Sequence, residues 1–167
     1  NLNRVLQEAV NPPAKGKDEI RLMTRVFRVG DKVMQMKNNY NIHWTREKEN
    51  GEGIFNGDVG ILKSVDRSSG IIKVDFDGRI AEYPADSLEL AYAMTVHKSQ
   101  GSEFEAVIMP VIDVPPQLCY RNLFYTAVTR AKSKMITMGR KNQILAMVEN
   151  DKKIKRYSAL KHFLKVE

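Results

Sequence analysis

At Leu90 the hydrophobic rhythm of this chain changes, and that change constrains the fold more than any other feature of the sequence. Upstream, from Gly30 onward, short runs rich in β-branched and apolar residues alternate with turns, at 32–36, 59–65 and 71–76. In the last run Ile72, Val74 and Phe76 recur at period two, the signature of a strand with one buried face. Asp77-Gly78 follows, a pair that accepts the positive φ angles of a tight hairpin turn, and leads into 79–83. About five short strands over 28–90 predict a small β-barrel of the SH3-like type. Between the first two strands, residues 38–53 are polar, include Tyr40, His43 and Trp44, and keep neither helical nor strand period. They are expected to form an exposed, mobile loop.

Downstream of Leu90 strand-like and helix-like segments alternate. Residues 91–94 read as a short buried strand, 95–100 as a short helix stopped by Gly101, and 106–111 as a second buried strand ending near Pro115-Pro116. Residues 118–131 read as a helix, 134–138 as a strand and 142–149 as a helix; Ile154, Tyr157, Leu160 and Leu164 give a basic amphipathic helix, read as a packed terminal one. This alternation predicts an α/β unit with a parallel sheet. At the other end Leu2, Val5, Leu6, Ala9 and Val10 fall on one helical face before Asn11-Pro12-Pro13 ends the helix. A helix that starts at Asn1, with neither a leading Met nor a cap, is expected to continue a longer polypeptide.

Composition excludes several classes. At 167 residues with 43% hydrophobic and 28% charged residues the chain is ordinarily globular. No apolar run approaches the roughly 20 residues of a membrane helix and no signal-peptide pattern opens it, so a cytoplasmic location without a membrane partner is expected. The single Cys119 allows neither an internal disulfide nor a metal-ligand cluster, so no structural metal is expected. The net charge of +7 is unevenly spread: Lys/Arg against Asp/Glu count five to three over 1–27, nine to eleven over 28–90 and thirteen to six over 91–167. The basic excess of the last third suits a polyanionic partner, although a solvated basic face would give the same count.

That third contains the two segments that carry chemistry, TVHKSQGSEF at 95–104 and LFYTAVTRAKSK at 123–134. In the first, Thr95, His97 and Lys98 offer a hydroxyl, an imidazole and a flexible cation suited to phosphodiester oxygens. Gln100, Gly101 and Glu103 follow at a close backbone turn, with a carboxylate able to accept from a sugar hydroxyl. A plain cap-and-turn role accounts for Ser99, Gly101 and Ser102 equally well. On a helical wheel of the second segment, Leu123, Phe124, Ala127, Val128 and Ala131 share one face, Arg130 lies at one border and Arg121 near the other. A border arginine with its stem packed can aim a permanently charged planar fork at a transferring phosphoryl group, although an isolated arginine there would by default be a surface ion pair.

Together these residues resemble the C-terminal part of superfamily 1 DNA helicases, nearest to the RecD-like group, the α-subunit type of exodeoxyribonuclease V and its stand-alone relatives. AYAMTVHKSQGSEFEAVIMPV at 91–111 looks like helicase motif V, and RNLFYTAVTRAKSKMITMG at 121–139 looks like motif VI. NLNRVLQEAVNP at the start is similar to the end of the motif IV region, and FRVGDKVMQMKNNYN with IFNGDVGIL, at 27–41 and 54–62, resemble the SH3-like domain inserted in the second motor domain. The resemblance implies an α/β fold, a partial RecA-like parallel-sheet domain of the P-loop NTPase type without its P-loop half, formed by 1–27 and 91–167 and carrying the inserted barrel at 28–90. It implies ATP-driven movement along single-stranded DNA, 5′ to 3′ by analogy with RecD-like enzymes, with ATP and Mg²⁺ as cofactors of the full-length protein. Arg130 would be the arginine finger, Gln100, Gly101 and Glu103 would face the nucleotide, and Thr95, His97 and Lys98 would meet the DNA backbone. The implied partners are single-stranded DNA, an upstream motor domain of the same polypeptide and nuclease-helicase subunits.

The sequence also departs from a complete motor. No G-x-x-x-x-G-K-[ST] occurs, since Gly16-Lys17 is followed by Asp18 and lacks the upstream glycine, and Asp18-Glu19 follows a Pro/Gly/Lys linker rather than a buried strand. The chain alone is therefore expected neither to hold ATP nor to hydrolyse it. Two other readings stay open. The barrel could be a non-catalytic single-strand-binding module stacking bases on Tyr40 and Trp44, or a protein-interaction module. Relaxase-associated helicases also share such motifs.

Overall fold

The computed structural model describes residues 2–151, which divide into two compact units, Asn1–Ser102 and Glu103–Glu167. The amphipathic pattern at 154–164 lies outside the described residues.

The first unit opens with helix α1 (Leu2–Val10), then an antiparallel hairpin of β1 (Glu19–Leu22) and β2 (Arg25–Arg28). Strands β3 (Lys32–Gln35), β4 (Asn39–Arg46), β5 (Glu49–Ile54), β6 (Val59–Asp66), β7 (Ile71–Phe76), β8 (Arg79–Pro84) and β9 (Leu88–Leu90) form one antiparallel sheet in the order β5-β4-β8-β7-β6-β3-β9. Period-two patterning is strictest in β7, where Ile72, Val74 and Phe76 point into the core. They meet Phe27, Val33, Ile42, Ile54, Leu62, Ala81, Tyr83 and Leu88 there. Each large apolar side chain buried this way contributes about 1.5–3 kcal/mol. Asp77 and Gly78 adopt φ of 54° and 86°, the hairpin turn expected between β7 and β8.

Three expectations are corrected here. Residues 38–53 are a hairpin, β4 against β5, and not a structureless loop. Within β4 only Ile42 is buried, so the hairpin stands with both faces largely in water and shows no apolar alternation. It is held by cross-strand fits such as Trp44 opposite Gly51, where the indole occupies the space a Cβ would need. Residues 91–94 are not a strand; the strand lies earlier, at β9, and joins β3 in the antiparallel sheet.

The third correction concerns α1. The helix forms as expected, but Leu2, Val5 and Val10 are exposed and Gln7 is its buried residue. The reason is Asp31, a fully buried carboxylate. It accepts from Gln7 Nε2 at 2.6 Å, Asn11 Nδ2 at 2.6 Å, the Arg28 backbone N–H at 2.7 Å and the Tyr92 hydroxyl at 2.8 Å. A buried charge without donors costs several kcal/mol, more than one exposed apolar stripe on a helix. Asn3 completes the polar face by exchanging two hydrogen bonds with the backbone of Ala93, 2.7 and 2.8 Å long. The chain thus enters and leaves the sheet beside the same helix face.

The second unit contains β10 (Phe104–Val111), a 3₁₀ turn at Pro116–Leu118, α2 (Arg121–Val128), β11 (Ala131–Gly139) and α3 (Lys141–Glu149). β10 and β11 pair in parallel, from Phe104 opposite Ala131 to Val111 opposite Gly139, as the strand and helix alternation predicts. Val111 is fully buried, whereas Ile108, Ile136 and Met138 on alternate positions are 63%, 42% and 51% exposed. The helix expected over 118–131 is shorter, since β11 begins at Ala131. No helix among the described residues is long and apolar enough to cross a membrane.

Candidate nucleotide and nucleic-acid interface

Residues 95–101 form consecutive turns rather than the helix the sequence suggests. Ser99 is the reason: buried, it donates from Oγ to the Val96 carbonyl at 2.8 Å, and its N–H reaches the Thr95 carbonyl at 3.1 Å. Thr95 Oγ1 accepts from the Lys98 N–H at 3.3 Å, and Ser102 N–H closes the last turn on the Ser99 carbonyl. Local side-chain bonds of this kind compete with helix formation. The segment buries Ser99 and leaves Thr95, His97, Lys98 and Gln100 exposed. Gly101 has φ of 85° with no atom within 4 Å of where a Cβ would stand, so a ligand can approach its backbone closely.

Lys98 is not a solitary cation. Its Nζ lies 2.9 Å from Glu89 Oε2, and 3.8 Å from the Met36 sulfur, so strand β9 supplies a carboxylate where the loop presents its charge. The base of the loop is fixed by Tyr92, whose hydroxyl binds Asp31. Burial, with this bond to the Asp31 carboxylate next, pushes the Tyr92 phenol up to about 12.

In the second unit Arg130 follows the end of α2 instead of riding on a helix border, because Thr129 caps the helix and β11 starts at the next residue but one. Its backbone carbonyl accepts from the Phe104 N–H at 2.8 Å, which puts Arg130 beside Glu103 at the amino ends of β10 and β11. The guanidinium folds back onto the helix end, with Nε donating to the Thr126 carbonyl at 3.3 Å and an Nη to the Thr129 hydroxyl at 3.2 Å. Glu103 lies 3.8 Å from Lys132 Nζ. Arg121 serves the packing of the helices, donating to the carbonyls of Val148 at 2.6 Å and Glu149 at 3.2 Å and so satisfying the end of α3.

Tyr40 is 65% exposed and stands edge-on to Phe55 with ring centroids 5.5 Å apart, while one side of Trp44 is covered by Gly51. Asp31, Glu89, Met36 and Lys132 are site or support residues that the sequence reading did not single out, whereas Ser99 has the turn role that it allowed. For Asp31 a signal exists: Asn3, Gln7 and Asn11 are spaced by four, a carboxamide stripe along one helix face that requires a polar partner.

The matches to known proteins assign this succession of an antiparallel sheet and a parallel β-α-β unit to the C-terminal region of a helicase. Residues 2–76 match the family model of the ATP-dependent RecD-like DNA helicase SH3 domain, and residues 90–137 match the UvrD-like helicase C-terminal domain. The ATP-dependent RecD2 DNA helicase of Deinococcus radiodurans is 35% identical over 142 residues, covering 83% of this chain and 18% of that protein. The RecBCD enzyme subunit RecD of Mycolicibacterium smegmatis is 37% identical over 100 residues, 59% of this chain and 18% of its own length. That of Haemophilus influenzae is 34% identical over 109 residues, 64% of this chain and 14% of its own. The chain belongs to the RecD-like helicase family, and it spans less than a fifth of the length of these relatives.

Proposed function

We propose that this chain is the second-motor-domain portion of an ATP-dependent, 5′ to 3′ RecD-like DNA helicase, in which it lends an arginine finger to the nucleotide and part of the track to single-stranded DNA. The observation that carries the reading is the succession, in one chain, of the RecD-like SH3 domain and the UvrD-like C-terminal domain. In this reading 28–90 are an insert in a motor domain made of 1–27 and 91–167. The bonds of α1 to residues on both sides of the insert, Gln7 to Val26 and Asn3 to Ala93, support it. Partner nuclease-helicase subunits and a cytoplasmic setting belong to the same reading.

ATP, when held by an upstream motor domain with its Mg²⁺, supplies the free energy of translocation. The residues here are of the types that such a cleft requires. Gly101 leaves its backbone open to close approach, Gln100 and Glu103 are exposed polar groups, and Arg130 has a planar cation held by neutral oxygens of Thr126 and Thr129. In this reading Mg²⁺ belongs with ATP in the phosphate-gripping domain. On a γ-phosphate the Arg130 guanidinium would meet an ionised acceptor in place of the neutral Thr126 and Thr129 oxygens. Thr95, His97 and Lys98 contact phosphodiester oxygens.

In the intact polypeptide, Arg130→Ala is expected to lower DNA-stimulated ATP hydrolysis by about 10³-fold while single-strand binding persists, and Lys98→Ala to weaken single-strand binding. The purified chain alone is expected to hydrolyse no ATP. DNA-stimulated hydrolysis by that chain, or full hydrolysis by the Arg130 variant, overturns the assignment.

A further inference from the structure

Beside the exposed loop lies a cavity of about 280 Å³, open to solvent, whose walls include Met34, Met36, Leu90 and Met94, with Thr95 and Lys98 also lining it. Three thioethers in one small cavity are unusual for a surface meant only for water. Methionine side chains are flexible and polarisable, and they take up aromatic faces of varied outline without demanding particular hydrogen bonds. The volume is just below the roughly 300 Å³ at which sites for drug-sized molecules begin, which suits a single planar ring system. The charge beside it is Lys98, whose ammonium is also in contact with the Met36 sulfur at 3.8 Å.

We propose that this cavity is a nucleobase subsite for single-stranded DNA, in which Met36 and Met94 hold one base and Lys98 takes the adjoining phosphate. The proposal rests on the strand-binding reading above and adds to it a specific place for a base. The pairing of an apolar, soft floor with a cation beside it matches one nucleotide unit, apolar on the faces of its ring and anionic at its backbone. Glu89 occupies the phosphate's place in the free protein, holding Lys98 at 2.9 Å. DNA entry therefore exchanges a carboxylate for a phosphodiester on the same ammonium.

The test uses this chain and two single strands of about a dozen residues, oligothymidylate and an abasic backbone of equal length, measured by fluorescence anisotropy at about 50 mM salt. The wild type is expected to bind oligothymidylate roughly tenfold more tightly than the abasic strand. Met36→Ala and Met94→Ala are each expected to weaken oligothymidylate binding roughly 3- to 10-fold and to leave abasic binding unchanged, which also shows that they are folded. Met36→Leu keeps most of the affinity, Lys98→Ala weakens both strands, and Glu89→Gln strengthens both. Equal wild-type affinity for the two strands overturns the subsite whatever the variants do, and equal losses on both strands in the methionine variants overturn it as well. In either case a Lys98→Ala loss leaves the strand-binding reading standing. Absence of binding to both strands overturns that reading and the subsite together.

Discussion

At the scale of single residues, Asp31 decides more of this structure than any apolar side chain. Its four donors come from α1 and the residue after it, from the end of β2 and from Tyr92, so one carboxylate fixes three separated pieces of chain. Tyr92 feels the connection most directly. Its phenol is raised from the ordinary 10 to about 12 by burial and by the bond to Asp31, so the folded state holds this proton more tightly than the unfolded one. The resulting stability is present in full below pH 10 and is lost as the pH rises through about 12. Tyr92→Phe is expected to lower stability by about 1–2 kcal/mol at neutral pH, by leaving a buried acceptor short of one donor. It is also expected to flatten the fall of the urea midpoint between pH 10 and about 12. Tyr83, also raised by burial, is unchanged in both proteins, so their difference reports Tyr92. A variant that keeps the full alkaline fall would show that the phenol does not carry it.

At the scale of elements, legibility in the sequence follows burial. β6, β7, β10, β11 and α3 are readable because their buried and exposed positions alternate or repeat at helical spacing, and the Asp77-Gly78 turn because φ > 0 restricts which residues fit. The β4–β5 hairpin is unreadable by the same measure: outward of Ile42 its only large side chain against the core is the half-buried Trp44, and it is held by backbone ladders and by that indole lying across a glycine. α1 is readable as a helix but not in orientation, because orientation is set by a carboxylate twenty residues or more away in sequence and not by the apolar stripe. The turns at 95–101 escape detection because a single buried hydroxyl, Ser99, redirects a segment of helix-compatible composition. For the hairpin the consequence is measurable. Gly51→Val puts a branched Cβ where the Trp44 ring lies, and is expected to cost about 1–3 kcal/mol and to shift tryptophan emission to the red as the indole is displaced. Unchanged emission and stability would show that the Trp44 fit does not hold the hairpin.

At the scale of the whole molecule, two construction principles coexist. The first unit is a cored antiparallel sheet clamped by a polar helix, and the second is a parallel pair with an apolar face, Ile108, Ile136 and Met138, turned to solvent. Parallel strands are ordinarily covered on both faces. The clamp bears on anyone who would borrow the antiparallel sheet as a part. Cut out at 28–90, it would carry Asp31 without the amides of Gln7 and Asn11 or the hydroxyl of Tyr92, with three of its four bonds severed and the clamp that joins it to the helix gone. Such an excised piece is expected to melt well below a piece cut at 2–102, and Asp31→Ala to narrow the gap; equal melting temperatures would refute the clamp. The transplantable module in this protein begins with its helix.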